Sequence, residues 1–273
     1  MKIYLRNFSI LIVISLIIII IAIKIIYKEP KIPVINYHNV VSEEEIQKLS
    51  CDEKQWNITV DNFEDQMKYL HDNNYKTLTM KEFTDWKQGK IELPFKSVLV
   101  TFDDGLLSNF HYAIPILSKY KINATIFVIG KVSEACGDSE NEWQSELNSY
   151  ISKKQIIMIS KKYPNIEFFS HTYDIHRMVN DKPAIYGYTE KQMEEDIIKY
   201  EKYMGKQQII AYPFGATNEK FNKVLKRNGY KYGFLLGDNK KATREDDNMH
   251  INRINTSANK DILHFAARLL LPY

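Results

Sequence analysis

The chain has 273 residues, and its 37 Lys plus Arg against 34 Asp plus Glu give a formal net charge of +3. Within residues 1–31, Lys2, Arg6, Lys24, Lys28 and Lys31 oppose Glu29 alone, so that stretch holds +4 and the remaining 242 residues hold −1. A near-neutral body excludes nucleic-acid binding by bulk charge, and 44% hydrophobic with 12% aromatic residues excludes a disordered or collagen-like chain.

The chain opens on an apolar run, Phe8 to Tyr27, that reads FSILIVISLIIIIIAIKIIY with Lys24 as its one charge. Twenty residues of α-helix rise about 30 Å, the thickness of a bilayer's hydrocarbon core, and the long Lys24 stem carries its ammonium to the interface. The run is too long for a signal-peptide core and lacks a cleavage site of small residues, so it predicts an uncleaved membrane anchor. Being apolar on every face, it does not suit a helix packed on one side of a core. Cations flank it at both ends, which leaves its orientation open. Cys51 and Cys136 form no C-x-x-C pair; one disulfide and two buried thiols both fit, and neither identifies the compartment. The chain thus divides into an anchor with a short linker (residues 1–31) and a body (residues 32–273).

In the body, Ile32–Tyr37 reads as a strand ending at His38. Phe63, Met67 and Leu70 fall at helical spacing, with Asp61 the expected N-cap and Asn73-Asn74 the stop. A helix at Met80–Gln88 precedes the apolar strand Ser97–Phe102, which Asp103-Asp104-Gly105 ends. Then follow helix 110–120 with Pro115, strand Ala124–Ile129, a polar loop over Lys131–Ser149, helix 151–162 and strand Ile166–Phe169. A His-rich loop, helix 189–204, strand Gln208–Tyr212, helix 218–228 and strand Lys231–Leu235 come next. The polar stretch Gly237–Asn248 and a terminal amphipathic helix, Asp261–Leu271, complete the chain, with no internal repeat. Strands alternating with helices predict an α/β fold of βα units around a parallel sheet, and at this length one distorted (β/α) barrel. Chemistry then belongs in the loops after strand C-termini.

Four polar clusters stand at such strand ends: Tyr37-His38, Thr101-Phe102-Asp103-Asp104-Gly105, Ser170-His171-Thr172-Tyr173-Asp174-Ile175-His176 and Tyr212-Pro213-Phe214-Gly215. Alone, each is an ordinary turn or surface motif; together they map to one end of the sheet. Adjacent carboxylates on extended backbone point apart, so one can bind a metal while the other takes a proton from water. His171 and His176 are five apart, which excludes one helical face and a helical H-E-x-x-H site. One carboxylate and two imidazoles suit Zn²⁺ with positions left for water and substrate. The same set fits a non-haem Fe(II) oxygenase, but the second Asp suits hydrolysis better.

At these residues the sequence resembles the polysaccharide deacetylases of carbohydrate esterase family four, which share the NodB homology domain. The resemblance runs from Ile32 to the C-terminus. It implies that Asp103 is the general base, that Asp104, His171 and His176 hold the metal, and that the Phe214 backbone N–H stabilises the oxyanion. The five-residue histidine spacing and the Tyr37-His38 opening are more similar to the branch that deacetylates poly-β-1,6-N-acetylglucosamine of biofilm matrix. Two departures stand out. The arginine that often precedes the third motif has no counterpart in Gln207–Ala211, and the general acid is not obvious. His250 is the candidate acid, with Arg253 in the same stretch, whereas His264 reads as a histidine packed on the terminal helix.

The resemblance implies metal-dependent removal of N-acetyl groups from an extracellular or cell-wall polysaccharide by a body held outside the cell membrane. The metal is Zn²⁺ first, with Co²⁺, Mn²⁺ or Ni²⁺ as alternatives. Tyr37, His38, Tyr173, Tyr212 and Pro213 are the expected substrate contacts, with Tyr186 and Tyr188 further candidates to stack on sugar rings. A catalytically impaired glycan-binding protein and an O-acetyl esterase are the competing readings. The choice among biofilm polymer, peptidoglycan and chitin-like oligomers, and the oligomeric state, stay open at this stage.

Overall fold

The computed structural model describes residues 15–16, 30–137, 149–256 and 261–271. The expected anchor at residues 8–27 lies outside them except for Ser15 and Leu16. Among the described residues, no helix is long and apolar enough to cross a membrane.

In chain order the strands are β1 (Val34–Tyr37), β2 (Asn39–Val41), β3 (Asn57–Thr59), β4 (Lys76–Thr77), β5 (Ser97–Phe102), β6 (Ala124–Val128), β7 (Ile166–Ser170), β8 (Met178–Val179), β9 (Lys182–Pro183), β10 (Ile209–Ala211), β11 (Tyr232–Phe234) and β12 (Ile254–Asn255). Eight of them form one sheet in the order β11-β10-β7-β6-β5-β1-β12, with β4 beside β5. Every pair in it is parallel, as the alternation of strands and helices predicts. A single parallel bridge, Phe234 to Ile251, joins β11 to the segment that leads into β12. The sheet therefore curls into a half-barrel.

The two faces of the strands sort by parity, as a period of two requires. Val34, Leu99, Phe127, Ile209, Ala211 and Phe234 share the inner cluster. Ile35, Val98, Val100, Ile126 and Val128 face the outer layer, with Phe63, Met67 and Leu70 of helix Val60–Asp72 and Ile156 and Ile159 of helix Lys153–Lys162. Towards the C-terminal strand ends the inner face turns polar: Val34 is followed two residues on by buried Asn36, and Leu99 by buried Thr101 and then Asp103. That polar end carries the site.

Several expectations need correction. Thr59, not Asp61, caps helix Val60–Asp72, because its hydroxyl accepts from Asn62 N–H. The span Lys131–Ser149 is not all loop, since Gly130–Ala135 is helical. The helix expected at 110–120 passes through a π turn, Asn109–Ala113, and is α-helical at Ile114–Lys119, with Pro115 directly after that turn. Cys51 and Cys136 are both free, and Cys51 is exposed. Two features went unanticipated: β12, only two residues long, and a small lobe in which β2 pairs with β3 around helices Glu43–Gln47 and Cys51–Lys54.

Candidate metal centre and active site

The first carboxylate pair emerges where β5 ends. The Asp103 N–H still donates to Tyr37 O as a ladder bond, so its side chain keeps the inward direction of Leu99 and Thr101. Asp104 and Gly105 then turn left-handed, at φ 71° and 74°. Thr172 after β7 and Phe214 after β10 are left-handed as well, at φ 67° and 58°. Such backbone costs of order 1–3 kcal/mol for a residue with a Cβ, and here it recurs at three neighbouring strand ends. Gly215, at φ 67°, closes the third of these turns where a Cβ would meet Leu236 N at 2.8 Å.

The turn at Asp104 aims its carboxylate at two imidazoles. Oδ1 lies 3.4 Å from His171 Nε2 and 3.3 Å from His176 Nε2, and the three side chains offer ligand atoms within 4.8 Å of one another. The His171 Nδ1 lies 2.9 Å from Ala211 O. A carbonyl only accepts, so Nδ1 carries a proton and Nε2 is the ring atom turned towards Asp104. Asp104 Oδ1 is buried and receives no hydrogen bond. Burial, then His171, push the His176 imidazole down to about 4, so it is neutral near pH 7. An unsatisfied carboxylate oxygen facing two imidazole nitrogens is the donor set of a divalent cation, Zn²⁺ before Mg²⁺ or Ca²⁺. These residues fit the metal.

The loop that brings the imidazoles together is braced from behind. Asp196, on helix Glu190–Met204, is buried and accepts from Tyr173 N–H at 2.8 Å and Asp174 N–H at 2.7 Å. Burial raises its carboxyl to about 6 against these bonds. Asp196→Asn replaces one acceptor oxygen by a donor facing an N–H. The expected result is a 10- to 100-fold loss of Zn²⁺ affinity, measured by chelator competition, with unchanged circular dichroism.

Asp103, beside that cluster, is held from the half-barrel side. Arg253 grips it with two bonds, Nη1 to Oδ1 and Nη2 to Oδ2, both 2.7 Å. Asn36 Nδ2 adds a third donor at 3.2 Å. Arg253 is itself fully buried, its Nε donating to Leu235 O and its Nη1 also to Asn36 Oδ1. Burial alone would raise the Asp103 carboxyl, but the Arg253 guanidinium and His171 hold it well below the ordinary carboxylate range.

Both carboxylates, His171, His176, His38 and Phe214 open onto one cavity of about 470 Å³. His38 Nε2 lies 3.8 Å from Asp103 Oδ2, and the Phe214 ring packs on His176 at 4.5 Å. Five expected site residues are elsewhere. Tyr37 is buried between Phe63 and Phe102 with its hydroxyl on Gln66. Tyr212 is buried too, donating to Asn222 Oδ1 and lying 3.0 Å from Met249 O, so neither tyrosine can stack on a sugar. Pro213 is buried, and Tyr173 packs over Gly130 with its hydroxyl on Glu134. His250 does not line the cavity; its ring is held between Asp247 and Asn222. His264 is likewise outside, on the exposed face of helix Ile262–Leu270 beside Arg268.

The model of the polysaccharide deacetylase family matches residues 90–233, the segment that contains both carboxylates, both histidines and the Phe214 turn. The chain belongs to the polysaccharide deacetylase family. The poly-β-1,6-N-acetyl-D-glucosamine N-deacetylase of Staphylococcus aureus is 35% identical over 244 residues, 85% of this chain and 80% of that one. A de-N-acetylase from Aggregatibacter actinomycetemcomitans shares the fold with a TM-score of 0.72 at 19% identity, covering 87% of this chain and 99% of that one. IcaB from Ammonifex degensii superposes with a TM-score of 0.66 at 27% identity, covering 84% and 93%. For a polysaccharide deacetylase, Arg253 is the residue that sequence reasoning left without a role. Its signal was a lone arginine between apolar Ile251 and Ile254, just as Asn36 and Thr101 were polar intruders on inward strand positions.

Proposed function

We propose that this chain is a metal-dependent N-deacetylase of poly-β-1,6-N-acetylglucosamine, held at the outer face of the cell membrane by residues 8–27. The observation that carries this reading is the joint placement, in one cavity, of the Asp104–His171–His176 donor set and an ionised Asp103. The name of the Staphylococcus aureus relative supports the polymer, and the apolar run supports the location.

Asp104, His171 and His176 would hold the divalent cation, which would supply a Lewis acid for the acetyl carbonyl and a water of lowered pKa. Asp103, kept ionised and oriented by Arg253, accepts the proton of the attacking water. The backbone N–H of Phe214, on a turn that lines the cavity, would donate to the developing oxyanion. His38, near Asp103 on the same wall, replaces His250 as the group that delivers a proton to the leaving amine. Burial keeps its imidazole below the ordinary value and neutral at rest, so the proton it delivers is the one Asp103 has taken. Arg253 supplies the guanidinium that Gln207–Ala211 lacks, which favours an active enzyme over an impaired binding protein.

Stripping the detergent-solubilised full chain with dipicolinate is expected to abolish acetate release from poly-β-1,6-N-acetylglucosamine, and Zn²⁺ or Co²⁺ to restore it. The same assay on O-acetylated xylan separates an amidase from an ester hydrolase. No release from any amino-sugar polymer with Zn²⁺, Co²⁺, Mn²⁺ or Ni²⁺ would sink the reading. Protease shaving of intact cells tests the location, with loss of the body the expected outcome.

A further inference from the structure

One wall of the cavity belongs to the β2–β3 lobe and presents Leu49, Glu53, Trp56 and Asn57. The hydrolysis uses none of them. Asn57 is only 7% exposed, yet its Oδ1 is buried without a hydrogen-bond partner. Its Nδ2 is already committed to Glu53 O at 2.8 Å, so the amide is fixed with its acceptor left over. A buried acceptor without a donor costs about 1–3 kcal/mol, and a ligand that brings a donor recovers that loss. Next to it stands the half-buried indole of Trp56, its ring centre 4.8 Å from His38.

An uncharged acetylated sugar gives a near-neutral protein no ionic handle. Its affinity must come from covering the C–H face of the pyranose and from directed hydrogen bonds to its hydroxyl and acetamido groups. An indole beside an unsatisfied acceptor, one ring away from His38, offers both. We propose that Trp56 and Asn57 form a sugar-binding subsite that holds one pyranose of the glycan beside the reacting acetamide. The indole covers the ring, and Asn57 Oδ1 accepts from a hydroxyl or acetamido N–H. The inference rests on the reading of the cavity as a glycan deacetylase site. It places substrate selection on the lobe, apart from the half-barrel that holds the chemistry.

The test compares the full-length wild type, Trp56→Ala and Trp56→Phe, loaded with Zn²⁺. Acetate release is followed on β-1,6-linked N-acetylglucosamine oligomers and on an aryl acetate, which has no pyranose. Trp56→Ala is expected to raise KM for the oligomers about tenfold or more, a loss worth one buried anchor contact, and to lower the oligomer-to-aryl-acetate ratio of kcat/KM by a similar factor. Trp56→Phe is expected to recover most of that ratio. Oligomer titration is expected to quench the wild-type tryptophan fluorescence, and Trp56→Phe to lose that quench. Asn57→Asp, which keeps the acceptor, is expected to bind oligomers more tightly than Asn57→Ala. A fall in kcat at unchanged KM would mean that Trp56 merely holds His38 in place, and would overturn the subsite, as would equal losses on both substrates. A wild type that binds oligomers with quenching yet releases no acetate would overturn the deacetylase reading and leave the subsite standing.

Discussion

Asp103→Asn is expected to cut acetate release by a factor of about 10²–10⁴, the contribution of a positioned general base, while Zn²⁺ affinity stays within a few-fold. The two effects separate because the adjacent carboxylates meet different partners: Asp103 is gripped by Arg253, while Asp104 lies against His171 and His176. An amide at position 103 retains one acceptor oxygen for Arg253 but turns an NH₂ towards the other guanidinium nitrogen. It cannot take a proton from water. Acetate release and chelator competition on the same preparation read out both halves. Full turnover in the variant would remove Asp103 from the chemistry; loss of metal with loss of turnover would assign it to the donor set instead.

The larger effect on stability belongs to Arg253. Its guanidinium is fully buried and pairs in two-pronged fashion with a carboxylate that is 2% exposed. Removing one partner of such a pair leaves an uncompensated buried charge, so Arg253→Met is expected to cost about 3–5 kcal/mol in urea unfolding. The double variant Asp103→Asn/Arg253→Met, with no charge left to strand, is expected to recover most of that loss. The pH dependence supplies the sign. In the wild type the Asp103 carboxyl lies below its unfolded value, so the pair's stabilisation is present above about pH 4 and fades as the pH falls through the depressed folded value. Without Arg253, burial dominates and raises that carboxyl. Stability then declines as the pH rises through the raised folded value. Unfolding of Arg253→Met at pH 5 and pH 8 in the presence of chelator should therefore rank opposite to the wild type's acid limb. Parallel curves for the two proteins would mean that the pair contributes nothing.

The parallel architecture was legible because βα alternation is a long-range pattern, written over many residues by strands such as Ser97–Phe102 and Ala124–Val128. The cluster of Asp104, His171 and His176 was legible because Asp104 and His171 stand at strand ends, which converge in a curled parallel sheet, and His176 lies on the loop that follows. What escaped depends on contacts distant in sequence. Arg253 meets Asp103 across 150 positions, and nothing local to either residue announces the other. The tyrosines misled for a related reason. Tyr37 and Tyr212 sit within the motifs, yet position in a motif does not decide which way a side chain points. Parity places Tyr37 with Ile35 on the outer face, where Phe63 covers it. His250 failed as the acid because a histidine in the right stretch of chain still needs a path into the cavity, and Asp247 and Asn222 hold its ring elsewhere. The lobe that carries Trp56 is built from elements of three to five residues, too short to show a period.

The 150-residue separation of Asp103 and Arg253 also bears on the order in which the protein comes into being. Synthesis delivers β5 long before the segment that enters β12, at about 5–20 residues per second. A nascent chain that has reached β11 already owns both carboxylates, both histidines and the Phe214 turn, but its base has no guanidinium to fix it. The centre is therefore finished late: the stretch that carries Arg253 locks the first carboxylate in place. A chain cut short before residue 253 carries Asp104, His171 and His176 but only Asn36, and no guanidinium, to hold Asp103.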